Sequence, residues 1–323
     1  MAYPSPLHTR FRVAPSGDCH IGHWVLGKLS MEAARLTGGT FTMKSQYLWA
    51  TREIETWEKF EAFAHKNLED LQALGVEPSH PNAFLAHGMS PDWRIQYTDD
   101  RGLIDAYWHA LHLDDLWGNW PNDPRLVGPE ATEVMPCDYL SWNLTQLSSK
   151  HPYLQFAQMV GEITTGRNCL IRGSDHIQDK AFADAFYPLI AKIHYRLPDW
   201  DRQCQYTPAQ FFLSRIGRTG GDTISSSSGP GSAGFYVKDI IAAGVPPDKL
   251  WKFMGRVLWG SYENAEKVAC DWSQQIPMRP EQNHLRGGPQ SGARSVMESI
   301  LPIPRINDEE WDRFCRSGGK VIP

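Results

Sequence analysis

The chain has 323 residues, 41% hydrophobic and 21% charged, with a formal net charge of −5. That length supplies about two domains at roughly 150 residues each, with enough apolar content for a packed core. The acidic balance excludes a whole-molecule basic field, so no DNA partner is expected, although a local basic patch stays open. The opening "MAYPSPLHTR" has no apolar stretch of the secretory kind, and no apolar run reaches the roughly 18 residues that cross a membrane. "RFRVAPSG" reads as a short strand entering a Pro/Ser/Gly turn. "HIGHWVLGKLSMEAARLTGG" follows as a helix stopped by Gly38-Gly39. "TFTMKSQYLWA" alternates as a second strand. In "REIETWEKFEAFAHKNLEDLQALGV", Trp57, Phe60, Ala64, Leu68, Leu71 and Leu74 recur at helical spacing. This strand–loop–helix–strand–helix order predicts a parallel sheet covered by helices.

Beyond Pro81 the pattern loosens, with helical pieces such as "RGLIDAYWHALHLDDLW" between proline-rich loops. "GRNCLIRGSDH" returns to a strand and polar turn, "IQDKAFADAFYPLIAKI" to a helix, and "AQFFLSRIG" to a strand. The glycine- and serine-rich "TGGDTISSSSGPGSAG" follows, with the composition of a flexible linker. Because it falls between a strand and a helix, a loop that closes on a nucleotide is the reading preferred. "FYVKDIIAAGVPPDKLWKFMGRVLWG" predicts two helices split by Pro246-Pro247, and the last 60 or so residues are expected to wrap the surface. The six cysteines (Cys19, Cys137, Cys169, Cys204, Cys270 and Cys315) lack zinc-finger spacing, so no zinc and no metal ligands are expected. They read as reduced thiols of a cytoplasmic protein.

The chemistry concentrates in "APSGDCHIGH". A helix N-terminus after a strand offers unsatisfied N–H groups and partial positive charge to an anion. His20 and His23, one helical turn apart, add ring N–H groups for phosphate oxygens that gain charge in a transition state. "APSG..HIGH" resembles the signature of class I aminoacyl-tRNA synthetases. "GGTFTMKSQ", "NLEDLQALGV" and "LIRGSDHI" resemble segments of the glutamyl-tRNA synthetase core, whose corresponding turn reads "VIRGEDHI". "DTISSSSG" falls where that family carries its "KMSKS" loop. The resemblance covers roughly 1–75 and 150–260.

It implies an α/β fold with a Rossmann-type parallel sheet that binds ATP across its strand ends. The parts would be a first catalytic half over 1–80, an insertion over 81–150 and a second half with the serine-rich loop over 151–234. A small helical module and tail would fill 235–323. It also implies roles for residues. His20 and His23, with Ser226 of the serine loop, would be catalytic. Ser16, Gly22, Asp175, Arg215, Arg218, Ser225 and Ser227 would bind the nucleotide. Arg12, Ala14, Gln46, Tyr153, Gln158 and Arg172 would line the substrate pocket, with Arg12 and Arg172 holding the amino acid. ATP, with magnesium, would be the energy source.

The departures shape the expected function. "APSG" is two residues shorter than the glutamyl "APSPTG" and resembles the lysyl, tyrosyl and tryptophanyl enzymes. "KSQYLW" replaces "RIEDTD", so Gln46 stands where an acid receives the substrate amino group, and an amide does not pair with ammonium as a carboxylate does. The lysines of "KMSKS" align with Thr223 and Ser226. Arg215 and Arg218 either replace those charges or only anchor the loop. Little chain remains after the loop for an anticodon-binding region, and the insertion is reduced. The expectation is a ligase that activates an amino acid or related carboxylate with ATP and passes it to a small molecule, a carrier or a modified nucleoside, with tRNA less favoured. Two alternatives stay open: a non-catalytic paralogue that binds an amino acid, nucleotide or partner, and a transferase that uses pre-charged aminoacyl-tRNA without ATP.

Overall fold

The computed structural model describes residues 6–13, 17–45, 57–79, 84–85, 101–111, 152–173, 176, 180–195, 208–213, 215–219, 224, 234–259 and 304–320. Five parallel strands form the main sheet: β1 (Thr9–Val13), β2 (Phe41–Ser45), β3 (Phe84–Leu85), β4 (Cys169–Gly173) and β5 (Ala209–Leu213). Their spatial order is β3-β2-β1-β4-β5. The chain therefore builds outward from β1 in one direction and later in the other, as in a doubly wound Rossmann-type sheet.

Helices cover both faces, and β1 explains how. Strand side chains alternate between faces. Phe11 and Val13 join the buried cluster of α1 (Ile21–Thr37), which includes Trp24, Val25 and Leu29. Thr9 points the same way and donates its hydroxyl to the Ser30 carbonyl at 2.7 Å. Arg10 and Arg12 point to the opposite face, against α4 (Pro152–Thr164). Here α4 pairs with α5 (Lys180–Tyr195), and Phe156 makes edge contacts with Phe186 at 6.1 Å and with Trp108 of α3 (Arg101–Ala110) at 5.4 Å.

The first helical layer is tight. Trp24 donates its indole N–H to the Leu74 carbonyl, at 3.0 Å, just after α2 (Trp57–Ala73). A Cβ on Gly27 would stand 3.0 Å from Val76 Cγ1, so a glycine permits this helix approach. The predicted stop of α1 is Gly38, in the left-handed conformation at φ 71°.

Two expectations change. The edge strand β3 and helix α3 lie within 81–150, the span expected as an insertion, and these pieces join the sheet and its second layer. The tail was expected to wrap the surface, but 304–320 is part of the core. Its strand β7 (Arg305–Ile306) pairs in parallel with β6 (Gly217–Arg218). Its helix α8 (Asp308–Arg316) buries Trp311 and Phe314 against Phe235 and against Phe253 of α7 (Pro247–Trp259). Polar composition hid this because only one narrow face of α8 is apolar. Asn307 caps the helix by accepting from the Glu310 N–H at 3.1 Å, and acids at its start and arginines at its end match the helix dipole. As predicted, a break at Pro246-Pro247 separates α6 (Val237–Ala242) from α7.

Candidate functional site

The sheet order reverses between β1 and β4. In such sheets the crevice at the carboxyl ends of the strands beside that point is where ligands are held. The turn between β1 and α1 sits there, and its geometry is set by two imidazoles. His20 is the N-cap of α1, and its Nδ1 accepts the Gly22 N–H at 3.0 Å. The His23 Nδ1 accepts the His20 N–H at 3.3 Å, completing a reciprocal capping box made of histidines. A ring that accepts at Nδ1 carries its proton on Nε2 when neutral, so both rings become Nε2–H donors. The rings lie 4.0 Å apart, tilted by 32°. Burial, and then the charge of His23, push His20 well below the ordinary value of 6.5, so it is neutral at physiological pH. Gly22 is a glycine for a local reason: a Cβ there would stand 2.8 Å from His20 Cε1. Its N–H donates to the His20 ring.

The turn is held from two sides. Phe235 and Val237, which follow the serine-rich loop, exchange backbone bonds with it: Ile21 N–H to the Phe235 carbonyl at 2.9 Å, and Val237 N–H to the Cys19 carbonyl at 2.8 Å. Asp18 bonds Lys66 of α2 at 2.7 Å and also Lys238 of α6, while Lys66 reaches Asp70 at 2.8 Å. Burial pushes the Asp18 carboxyl up, but the two lysines more than reverse this and hold it below its ordinary value. Asn67 adds two bonds, accepting the Cys19 N–H at 3.2 Å and donating to the Gly17 carbonyl at 3.0 Å.

On the other face, three of the expected substrate residues converge. Thr9 is in register with Cys169, and three residues on stand Arg12 of β1 and Arg172 of β4. Arg12 Nη2 bonds Glu162 Oε1 of α4 at 2.8 Å and the Gln158 carbonyl at 3.2 Å. Arg172 Nη2 lies 3.5 Å from Glu162 Oε2 and donates to the Tyr187 hydroxyl of α5 at 3.3 Å. Tyr187 in turn donates to Glu162 Oε2. Burial pushes the Glu162 carboxyl up, yet Arg12, Arg172, Arg10 and the Tyr187 hydroxyl together hold it below its ordinary 4.5. Tyr187 is pushed well above 10 by burial and the adjacent carboxylate.

Other expected residues sit elsewhere. Arg218 makes a two-pronged pair with Asp308 of α8, at 3.0 and 2.9 Å, and lies 5.3 Å over the Phe235 ring. Arg215 is half-buried before β6. Tyr153 lies in the first turn of α4, its side chain outside the described residues. Ala14, Ser16, Gln46, Asp175, Ser225, Ser226 and Ser227 also lie outside them. The described residues at either end of the serine-rich segment meet one module: Thr219 N–H bonds the Ile306 carbonyl at 3.0 Å, and the Gly234 carbonyl accepts from Trp311 Nε1 at 3.0 Å. Sequence reading missed Glu162, Tyr187, Lys66 and Lys238. For Glu162 a signal existed: an acid in the apolar run "MVGEIT", one turn beyond Gln158.

No protein-family model and no curated protein matches the chain. Solved structures similar to it include glutamate-tRNA synthetase from Elizabethkingia anophelis, at 13% identity and TM-score 0.49 over 98% of this chain and 79% of that one. Tyrosyl-tRNA synthetase from Aeropyrum pernix is similar at 12% identity and TM-score 0.43, over 97% and 86%. The enzyme of the same specificity from Archaeoglobus fulgidus, complexed with L-tyrosine, is similar at 15% identity and TM-score 0.39, over 97% and 90%. At such values the likeness assigns no residue role, substrate or partner. The strand order and parallel register by themselves give the chain a Rossmann-type α/β fold, the class expected for a synthetase-like catalytic core.

Proposed function

We propose that the crevice between β1 and β4 binds a nucleotide and that the chain activates a carboxylate with ATP. The observation that carries this is the histidine pair at the switch point, each ring engaged at Nδ1 by a capping bond so that its N–H lies at Nε2. In the reaction, a substrate carboxylate oxygen attacks the α-phosphorus of ATP, an acyl-adenylate forms and pyrophosphate leaves. His20 and His23 would donate to phosphate oxygens as charge develops, with little reorganisation because the capping bonds already fix both rings. ATP would arrive as its magnesium complex. The partly exposed edges of Arg12 and Arg172 would hold the substrate carboxylate. Each guanidinium carries five donors in a fixed fork suited to that geometry. Asp175 and the serines of 225–227 are proposed at the nucleotide, and a small molecule or carrier, rather than a tRNA, as acyl acceptor. Among the described residues, no helix is long and apolar enough to cross a membrane.

The test is pyrophosphate–ATP exchange with a panel of amino acids and related carboxylates. Exchange driven by one of them, falling by about 100-fold in His23→Ala, is the expected result, since a single positioned donor contributes that much in related sites. A second reading is favoured by the contacts of Glu162, which already engages Arg12 and Arg172: the chain binds a nucleotide without activating a carboxylate. That reading expects ATP to raise the melting temperature with no exchange from any carboxylate. Neither exchange nor a melting shift at millimolar ATP refutes both.

A further inference from the structure

We infer that Glu162 is a positioning residue that sets the aim of Arg12 and Arg172; this rests on the reading of those arginines as the carboxylate-binding pair. Parallel strands covered on both faces are ordinarily apolar, because helices pack on each side. Here two guanidiniums project to the same face from adjacent strands at equivalent positions. Like charges so placed repel, and in a low-dielectric interior they separate unless an anion lies between them. Glu162 is that anion. It reaches Arg12 through one oxygen and Arg172 through the other.

The burial gradient gives the direction. The Glu162 side chain is 2% exposed, and those of Arg12 and Arg172 are 15% and 17% exposed. The carboxylate is thus the floor, and the guanidiniums stand between it and solvent, where a ligand arrives. The floor itself is fixed. Glu162 shares α4 with the Gln158 carbonyl, one turn away, which also accepts from Arg12. From α5, the Tyr187 hydroxyl links Glu162 to Arg172. Two helices therefore orient two arginines through one buried carboxylate. Binding groups locked by a supporting shell grip a ligand without ordering themselves at the moment of binding.

Phenylglyoxal labelling of the full chain, read residue by residue by peptide mass spectrometry, tests this without requiring activity. The reagent attacks the deprotonated guanidine, so a carboxylate partner suppresses it. Losing the charge in Glu162→Gln should accelerate labelling of Arg12 and Arg172 about ten-fold, the effect of one pKa unit. Glu162→Asp, which keeps the charge, should restore most of the suppression. Arg167, which donates to Thr40 on the far side of the sheet end, should keep its rate; it reports whether the core has opened. Tyr187→Phe supplies the second arm. Its hydroxyl touches Arg172 and not Arg12 in the bonds above, so Arg172 alone should label faster. Unchanged rates at Arg12 and Arg172 in Glu162→Gln overturn the inference. So does an equal rise at Arg12, Arg172 and Arg167 in both variants, which would mean general loosening. Propionate is the probe for the parent reading: it should protect both arginines in the unmodified chain. Absence of protection alongside the Glu162→Gln effect would remove the carboxylate-binding reading and leave the positioning of the arginines intact.

Discussion

Trp311 is the residue through which the C-terminal segment joins the core, and Trp311→Ala is the perturbation that measures this joint. The side chain is 2% exposed. It stacks on Phe235 at 5.1 Å and 11°, meets Phe253 at 5.4 Å and Phe314 at 5.9 Å, and donates to the Gly234 carbonyl at 3.0 Å. Truncating a buried tryptophan costs about 3–5 kcal/mol in transfer and cavity terms. Trp311→Phe separates the parts: the ring contacts survive, and the lost indole bond leaves the Gly234 carbonyl to find another donor, at about 1 kcal/mol. Urea unfolding followed by circular dichroism gives both numbers from the midpoint and slope. A loss below about 1 kcal/mol for Trp311→Ala, the ordinary size for a surface substitution or less, would refute the packing of α8 and return the tail to the surface.

Gly22→Ala should push the His20 ring out of its cap. The stability loss should be about 1 kcal/mol, as for other lost N-caps, and the shielded His20 signal should move toward an ordinary imidazole titration in an NMR pH series. An unmoved His20 signal counts against the close contact. His20 itself predicts a pH dependence. Its folded pKa lies below the unfolded 6.5, so between the two values the unfolded chain binds more protons, and stability falls as pH drops through that window. His20→Gln should flatten the slope there; an unaltered slope assigns it to other groups. Asp308→Ala breaks the pair with Arg218, whose partners are 29% and 34% exposed. The cost should be under about 1 kcal/mol and smaller still at high salt. A larger cost in a melting series would mean that the pair is far better shielded than its exposure indicates.

The fold was legible where periodicity and turn chemistry agreed. Alternation in "RFRV" and "TFTM", the helical spacing after "HIGH", and Gly38 at its stop each carry one local reason that the observed elements obey. The tail was not legible, because α8 mixes charges around a single aromatic face, and its partners Phe235 and Phe253 are remote in sequence. The same limit applied at the site. His20 and His23 are close in the chain, so their pairing could be read from spacing, but the capping bonds that fix their tautomers depend on backbone geometry. Arg12 and Arg172 were visible as candidates through resemblance. Glu162, which decides what they face, had a local signal in its apolar run, but its role follows only once the strands align Arg12 beside Arg172.

A helix N-terminus ordinarily attracts anions through its unpaired backbone N–H groups. At α1 three of those groups are engaged: His20 donates to His23 Nδ1, Ile21 to the Phe235 carbonyl and Gly22 to His20 Nδ1. The imidazole Nε2–H groups are the donors proposed for a phosphate at this turn. This exchange has a consequence for the proposed activity. Backbone donors bring the helix dipole, whereas imidazole donors work only if both rings stay neutral and keep one tautomer. The low His20 pKa secures the first condition for that ring, and the reciprocal capping bonds secure the second. Asp18 meanwhile engages Lys66 and Lys238. Stabilisation of a charged transition state here would therefore come from fixed neutral dipoles more than from net charge, which is effective only because they need no reorganisation. Residues that fix the dipoles, Gly22 among them, then matter to the chemistry as much as the imidazoles do.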